Sequence, residues 1–152
     1  MAAPPLERPY QASYFLAGRL ASRPASLLID TGCTTNLLSK HLYQQLPQSV
    51  KDMLQRSEAH GLMADGSRIP FYGTLQVNLQ LRKLRTSVNF VISDINEDAI
   101  IGMPFLTLHE CALRFPDSHV IIDGHVLPCT DKHGRPPNDS VRLAQAELTE
   151  NP

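Results

Sequence analysis

The sequence predicts an all-β-dominated domain with two short helices, and three observations carry that expectation. Residues 74–82, TLQVNLQLR, alternate strictly. Leu75, Val77, Leu79 and Leu81 fall on one face and Thr74, Gln76, Asn78 and Gln80 on the other, the period of a half-buried strand. Short apolar runs (SYFLAGRL, ASLLID, TSVNFVIS, AIIG, CALRF, HVIID, HVLPC) recur between Gly, Pro and Asp turn signals. Helical spacing of apolar residues is concentrated in one stretch, residues 39–54.

Taken in order, residues 1–10 carry Pro4, Pro5 and Pro9 and read as an extended lead-in. A strand is expected from about Ala12 to Leu20, a turn at Arg23-Pro24, and a second strand at 25–30 with the near-continuous apolar character of a buried one. Ser39 is a fitting N-cap for KHLYQQL, whose Leu42, Tyr43 and Leu46 share a helical face, and Pro47 ends that helix. Ser49, with Asp52 three residues on, resembles a capping box ahead of Val50, Met53 and Leu54. In HGLMADGSRIPFYG, the Asp65-Gly66 pair between two strand-like runs signals a hairpin. The alternating strand should then pair with TSVNFVIS through a turn at Arg82-Lys83. AIIG ends in Gly102, and Pro104 suits the first turn of a following helix. CALRF, HVIID and HVLPC complete the strands, the last two joined at Asp123-Gly124. From Thr130 the chain is polar, and its final SVRLAQAELTE is too short for a stable isolated helix. The expected organisation is a lead-in at 1–10, one folded domain at 11–130, and a polar tail or linker at 131–152.

Composition narrows the function classes. Apolar residues make up 42% of the 152, enough for a core, and 19% are charged. A net charge of −1 provides no basic field for nucleic acid or an anionic membrane. With no Trp and 6% aromatic residues, a stacking platform for single strands is not expected either. No apolar run approaches the ~20 residues that span a bilayer, and MAAPPLERPYQ has no signal-peptide pattern. The three cysteines, Cys33, Cys111 and Cys129, are odd in number and widely spaced, which points to a reducing, cytoplasmic setting. His119, His125, Cys129 and His133 include a Cys-x3-His spacing but no paired Cys-x2-Cys, so they read as scattered histidines and no metal is expected. No phosphate-binding loop is present, and no cofactor is expected.

The informative stretch is LLIDTGCTTNLLS at 27–39. A buried strand delivers Asp30 straight into a turn, and a carboxylate beside apolar walls is costly unless it is paired or hydrogen-bonded. On its own, Asp-Thr-Gly reads most simply as a strand-end turn. Thr31 adds a hydroxyl that can bond outward, and Gly32 lets backbone N–H groups approach the carboxylate. Downstream come a hairpin with a Gly tip, a long alternating strand pair, and IIGMPFL at 100–106. In this order of parts the sequence resembles the retropepsin family, the aspartic proteases of retroviruses and long-terminal-repeat retrotransposons. The matched segments are LLIDTG at 27–32, GLMADGSRIPFYG at 61–73, IIGMPFL and ECALRF at 110–115, and the resemblance covers roughly residues 12–128.

That resemblance implies a closed retropepsin-like β-barrel with one or two short helices, active as a twofold dimer. Its chemistry needs two carboxylates sharing a proton, one activating a water and the other protonating the substrate carbonyl. The chain has a single Asp-Thr-Gly; Asp123-Gly124 lacks the intervening Ser or Thr, and 152 residues are too few for two lobes. The partner of Asp30 is therefore expected to be Asp30 of a second copy. Thr31 and Gly32 would support the loop, and Met63, Ala64, Asp65 and Gly66 would form a flap over an extended polypeptide substrate. Gly102 would be structural. The polypeptides implied are polyproteins, and virus-like particles are a second possible location. The alternative reading is a catalytically silent dimeric protein-binding module of the same fold. The chain departs from the family pattern at Cys33, where Ala or Ser is more usual, and at Asp65 in the flap; Cys33 is a small hydrophobe that fits sterically.

Overall fold

The computed structural model describes residues 13–63, 65–114 and 119–131. The chain opens with a hairpin, β1 (Tyr14–Leu20) and β2 (Arg23–Ile29), paired in register from Tyr14↔Ile29 to Leu20↔Arg23. The turn sits at Ala21-Ser22, two residues earlier than the Arg23-Pro24 turn expected from sequence; Pro24 lies inside β2 opposite Arg19. Both turn residues have positive φ, 48° and 69°. Two-residue hairpins need that geometry to match the strand twist, and proline, fixed near −65°, cannot supply it.

After the Asp30 loop come a short strand, β3 (Leu37–Ser39), and α1 (Lys40–Gln44). Ser39 caps α1 as expected, its Oγ accepting the Leu42 N–H at 3.0 Å. Leu42 and Leu46 are buried. The capping box at Ser49 does not form. Pro47 occupies the cap position of α2 (Gln48–Lys51), without a side-chain cap bond, and its fixed φ starts the helix before Ser49. Asp52 instead accepts a 2.7 Å bond from the Gln48 side chain, and Met53 is left 72% exposed.

The second half of the barrel is built on two long strands. Two short strands, β4 (Gln55–Arg56) and β5 (His60–Leu62), both lie antiparallel to β6 (Arg68–Leu81). The strand β6 continues past a register shift between Phe71 and Gly73 to pair with β7 (Leu84–Ser93). The expected alternation is seen: Leu75, Val77, Leu79 and Leu81 are each at most 2% exposed, and Thr74, Gln76 and Asn78 face solvent. Full burial of each such side chain contributes about 1.5–3 kcal/mol. The chain then enters β8 (Ala99–Ile101), α3 (Met103–Leu108), which is a third short helix, and an antiparallel sheet of β9 (Ala112–Arg114), β10 (His119–Ile122) and β11 (His125–Pro128).

Hydrogen bonding follows the order β1-β2-β8-β3-β7-β6, and Arg19↔Gln80 and Leu20↔Leu79 join β1 to β6, closing a six-stranded barrel. Its interior holds Leu20, Leu27, Leu38, Phe90, Ile92 and Ile101, all 0–1% exposed. β8 is inserted between β2 and β3, parallel to the first and antiparallel to the second. Those are the two strands flanking the Asp30 loop, so the late segment Ala99–Ile101 fixes the geometry of the early one. No helix among the described residues is long and apolar enough to cross a membrane. The lead-in at 1–10, and the tail beyond Asp131, lie outside the described residues.

Candidate active site

Asp30 leaves β2 at the point where β8 ends alongside it. Its backbone N–H donates to the Ile101 carbonyl at 3.0 Å, and its own carbonyl accepts the Cys33 N–H at 3.2 Å. The Gly32 N–H donates to the Asp30 carboxylate at 2.9 Å. A Cβ on residue 32 would lie 3.3 Å from that oxygen, so Gly32 gives the amide its approach. The half-buried carboxylate thus gains a backbone donor at the cost of a tight turn, and the turn itself is held from outside. Met103 N–H donates to the Cys33 carbonyl at 2.8 Å, and Gly102 N–H donates to Asn36 Oδ1 at 2.9 Å. Cys33 turns its Sγ to the Thr35 carbonyl at 2.9 Å, so at this position the thiol is a weak hydrogen-bond donor within the loop.

Sequence reasoning did not single out Asn36. Its side chain, on a residue 6% exposed, bridges the Gly102 amide and, at 3.5 Å, the Asn89 carbonyl. Its backbone carbonyl also accepts from Val91 N–H at 2.8 Å. The available signal was a lone amide residue directly ahead of Leu37-Leu38, where only a satisfied polar group can be buried. Asn36→Ala leaves the buried Gly102 N–H without its acceptor and is expected to destabilise the fold by about 1–3 kcal/mol. Urea denaturation of the two proteins checks this, with an unchanged midpoint contradicting the role.

A cleft of about 630 Å³ opens beside Asp30. Asp30, Gly32 and Cys33 form one wall, Leu28, Leu37 and Ile100 lie with them, and the β5–β6 hairpin contributes Gly61, Leu62, Met63, Ile69 and Phe71. The segment between β7 and β8 adds Asp94, Ile95, Asn96 and Glu97. The hairpin register runs His60↔Pro70 to Leu62↔Arg68. Its tip is tied by Met63 N–H to Ser67 O at 2.8 Å and by Gly66, at φ +85°, donating to Met63 O at 2.9 Å. Asp65 Oδ1 accepts both the Ser67 hydroxyl at 2.6 Å and the Ser67 N–H at 2.9 Å. These bonds hold the Asp65 carboxyl below the usual aspartate range. A depressed folded-state value means that this contact supports the tip at neutral pH and is lost only as pH falls through that lowered value. The charge at Asp65 is therefore turn chemistry. Among the expected flap residues, Met63 reaches the cleft wall, Asp65 and Gly66 form the turn beyond it, and Ala64 lies outside the described residues.

Thr31 does not line this cleft. It borders a separate apolar groove with Ile29, Met103, Leu106, Cys111, Leu113 and Val120. In that groove Met103 and Leu113 are 41% and 36% exposed, and on the other side of α3 the 76% exposed Leu108 lines a separate pocket with Pro104 and Phe105. α3 is fastened to the terminal sheet by His109, stacked on Phe105 at 4.2 Å and bonded through Nδ1 to the Asp123 carboxylate at 2.5 Å. Asp123 is thus placed at a β-turn on the far sheet, with φ 49°, and takes no part in the cleft. Burial, reinforced by Asp123, pushes the Cys111 thiol up to about 11, and burial does the same to Cys129. Both thiols are thereby held in the protonated form at neutral pH. Among the described residues no group of three or more His, Cys, Asp or Glu side chains is placed to hold a metal.

No protein-family model matches the sequence, and no curated protein matches it. Solved structures do. The retroviral protease-like domain of Ddi1 from Leishmania major superposes with a TM-score of 0.67 at 15% identity, over 80% of this chain and 96% of that one. The EIAV protease, solved with the inhibitor HBY-793, superposes with a TM-score of 0.55 at 17% identity, over 69% of this chain and 95% of that one. The barrel, the inserted β8, the hairpin over the cleft and these superpositions agree: the chain has the retropepsin-like fold.

Proposed function

We propose that the protein is an aspartic endopeptidase that cleaves extended polypeptides and works as a homodimer, with Asp30 of each copy forming one catalytic pair. The observation that carries this reading is the placement of Asp30. Its carboxylate is held by the Gly32 N–H at the edge of a cleft to which the β5–β6 hairpin contributes a wall. Two such carboxylates about 3 Å apart would share one proton. The ionised member takes a proton from water as it attacks the peptide carbonyl, and the protonated member donates to the developing oxyanion. An extended substrate would bond to hairpin and loop backbone as an added strand, with side chains alternating into the two walls. Closure of the hairpin would exclude bulk water.

Asp94 and Glu97 also border the cleft, but no hydrogen bond joins either of them to Asp30. The second carboxylate of the pair is thus assigned to a second copy. Support for that assembly comes from the apolar groove at Thr31 and the exposed Met103 and Leu113 that line it, a surface of the kind that marks interaction sites. Thr31, on the same loop as Asp30 and bordering that groove, would brace the two loops against each other. The fold neighbours, one named a protease and one protease-like, favour the same chemistry.

The test is sedimentation and cleavage of an unfolded protein substrate across a dilution series. Specific activity should be constant when the protein sediments as a dimer and fall in step with dimer fraction on dilution. Cleavage by a species that sediments as a monomer would refute the shared site. A dimer that binds peptides and never cleaves them would leave the binding-module reading in its place.

A further inference from the structure

The cleft beside Asp30 has an asymmetric chemistry that the proposed reaction does not require. Its floor is apolar, from Leu28, Leu37, Ile69, Phe71, Ile95 and Ile100. The charged side chains that line it are Asp30, Asp94 and Glu97, and among the described lining residues there is no Lys, Arg or His. The three carboxylates differ in what already engages them. Asp30 belongs to the loop. Asp94 accepts the Tyr72 hydroxyl at 2.7 Å, and the Lys40 ammonium stands 4.4 Å over the Tyr72 ring, one group removed from Asp94. Glu97 is half-buried and enters no ion pair or side-chain hydrogen bond among the described residues. Its neighbour Asp98, by contrast, is committed to the fold through the Ser26 N–H at 2.9 Å.

We propose that Glu97, with Asp94 as a weaker second, is a specificity-determining residue that selects polypeptides carrying a Lys or Arg within two residues of an apolar side chain. The apolar side chain would seat on the Leu28–Ile100 floor. In an extended substrate the next side chain on the same face lies ~7 Å further along, and the long stem of a lysine or arginine spans the remaining distance to the cleft edge. A half-buried carboxylate with no internal partner repels an acidic side chain and desolvates poorly against a neutral one, so the basic substrate is the one that relieves it. In a symmetric dimer each half of the cleft carries its own Glu97, so the preference should apply on both sides of the cleaved bond.

This inference rests on the peptidase reading for its substrate, and its test separates the two. Peptides identical except for Lys, Gln or Glu beside an apolar pair are compared in two ways: cleavage by the wild-type protein, and equilibrium binding to the uncleaving Asp30→Asn protein by fluorescence anisotropy. The Lys peptide is expected to exceed the Gln peptide about tenfold in kcat/KM, carried mainly by KM, and to bind Asp30→Asn with a similar advantage. Glu97→Gln should shrink the Lys-to-Glu ratio at least about fivefold, Asp94→Asn less, and high salt should flatten it. Cleavage without a basic preference, or a preference unchanged in the Glu97→Gln protein, overturns the inference and leaves the peptidase reading intact. If nothing is cleaved, a Glu97-dependent basic bias in binding still supports the inference while the peptidase reading falls, and binding without that bias overturns both.

Discussion

Asp30→Asn is expected to lower peptide cleavage by about 10²–10⁴-fold while leaving the fold and the association of copies in place. The substitution removes both the base and the acid, because each dimer would lose both of its catalytic carboxyls at once, and acid–base assistance of this kind is worth about 10²–10⁴-fold. The structural disturbance should be small. Asparagine keeps an oxygen for the 2.9 Å bond from Gly32, and the bonds that hold the loop run through the Asp30 backbone, not its side chain. The comparison is therefore between an unchanged denaturation midpoint and an activity reduced to background. Equal activity in the two proteins would remove Asp30 from the chemistry.

The second large effect falls on Gly102. A Cβ there would lie 2.6 Å from the Thr35 carbonyl oxygen and 2.7 Å from that of Cys33, both backbone atoms of the Asp30 loop. The residue sits at φ −101°, a conformation open to any amino acid, so the demand for glycine is purely steric. Gly102→Ala should force the loop away from β8 and strain the bonds from Gly102 to Asn36 and from Met103 to Cys33. About 3 kcal/mol of stability, and most of any activity, should go with it. Gly66→Ala is the informative contrast. Nothing lies within 4 Å of its would-be Cβ, but φ is +85°, so about 1 kcal/mol of backbone strain is expected and the loop at Asp30 should be untouched. Chemical denaturation of both variants distinguishes crowding from strain; a Gly102→Ala protein as stable as wild type would show that the two segments are not locked together.

These two positions also show what the sequence could and could not say. Local chemistry was legible: the alternation at 74–82, the Ser39 cap and the Asp65-Gly66 turn follow from side-chain period and turn preference, and each appears where expected. Asp30 stood out because an acid at the end of an apolar strand demands an explanation. The contacts that make it a site were not legible, because they are long-range. Asn36 is 66 residues from the amide it satisfies, and no periodicity records that distance. The insertion of β8 between β2 and β3 could be reached only through resemblance to a known family, since three-residue strands carry too little pattern. The two local misjudgements both fall beside a proline. Pro24 was taken as a turn signal but sits within a strand, and Pro47, which does follow the end of α1 at Gln44, also caps α2 and so starts that helix before Ser49. Cys33 and Asp65, the two departures from the family pattern, both make hydrogen bonds within their own turns.

The central claim is that one Asp30 is not enough. It is tested most directly by co-refolding wild-type and Asp30→Asn chains in varied proportions at constant total concentration, and measuring cleavage of a single fluorogenic peptide. If the site needs Asp30 from both copies, mixed dimers are inactive and activity follows the square of the wild-type fraction, falling to about a quarter at an equal mixture. A linear fall, to one half at that mixture, would mean that each chain completes its own site, with Asp94 or Glu97 supplying the second carboxylate, and would contradict the shared pair.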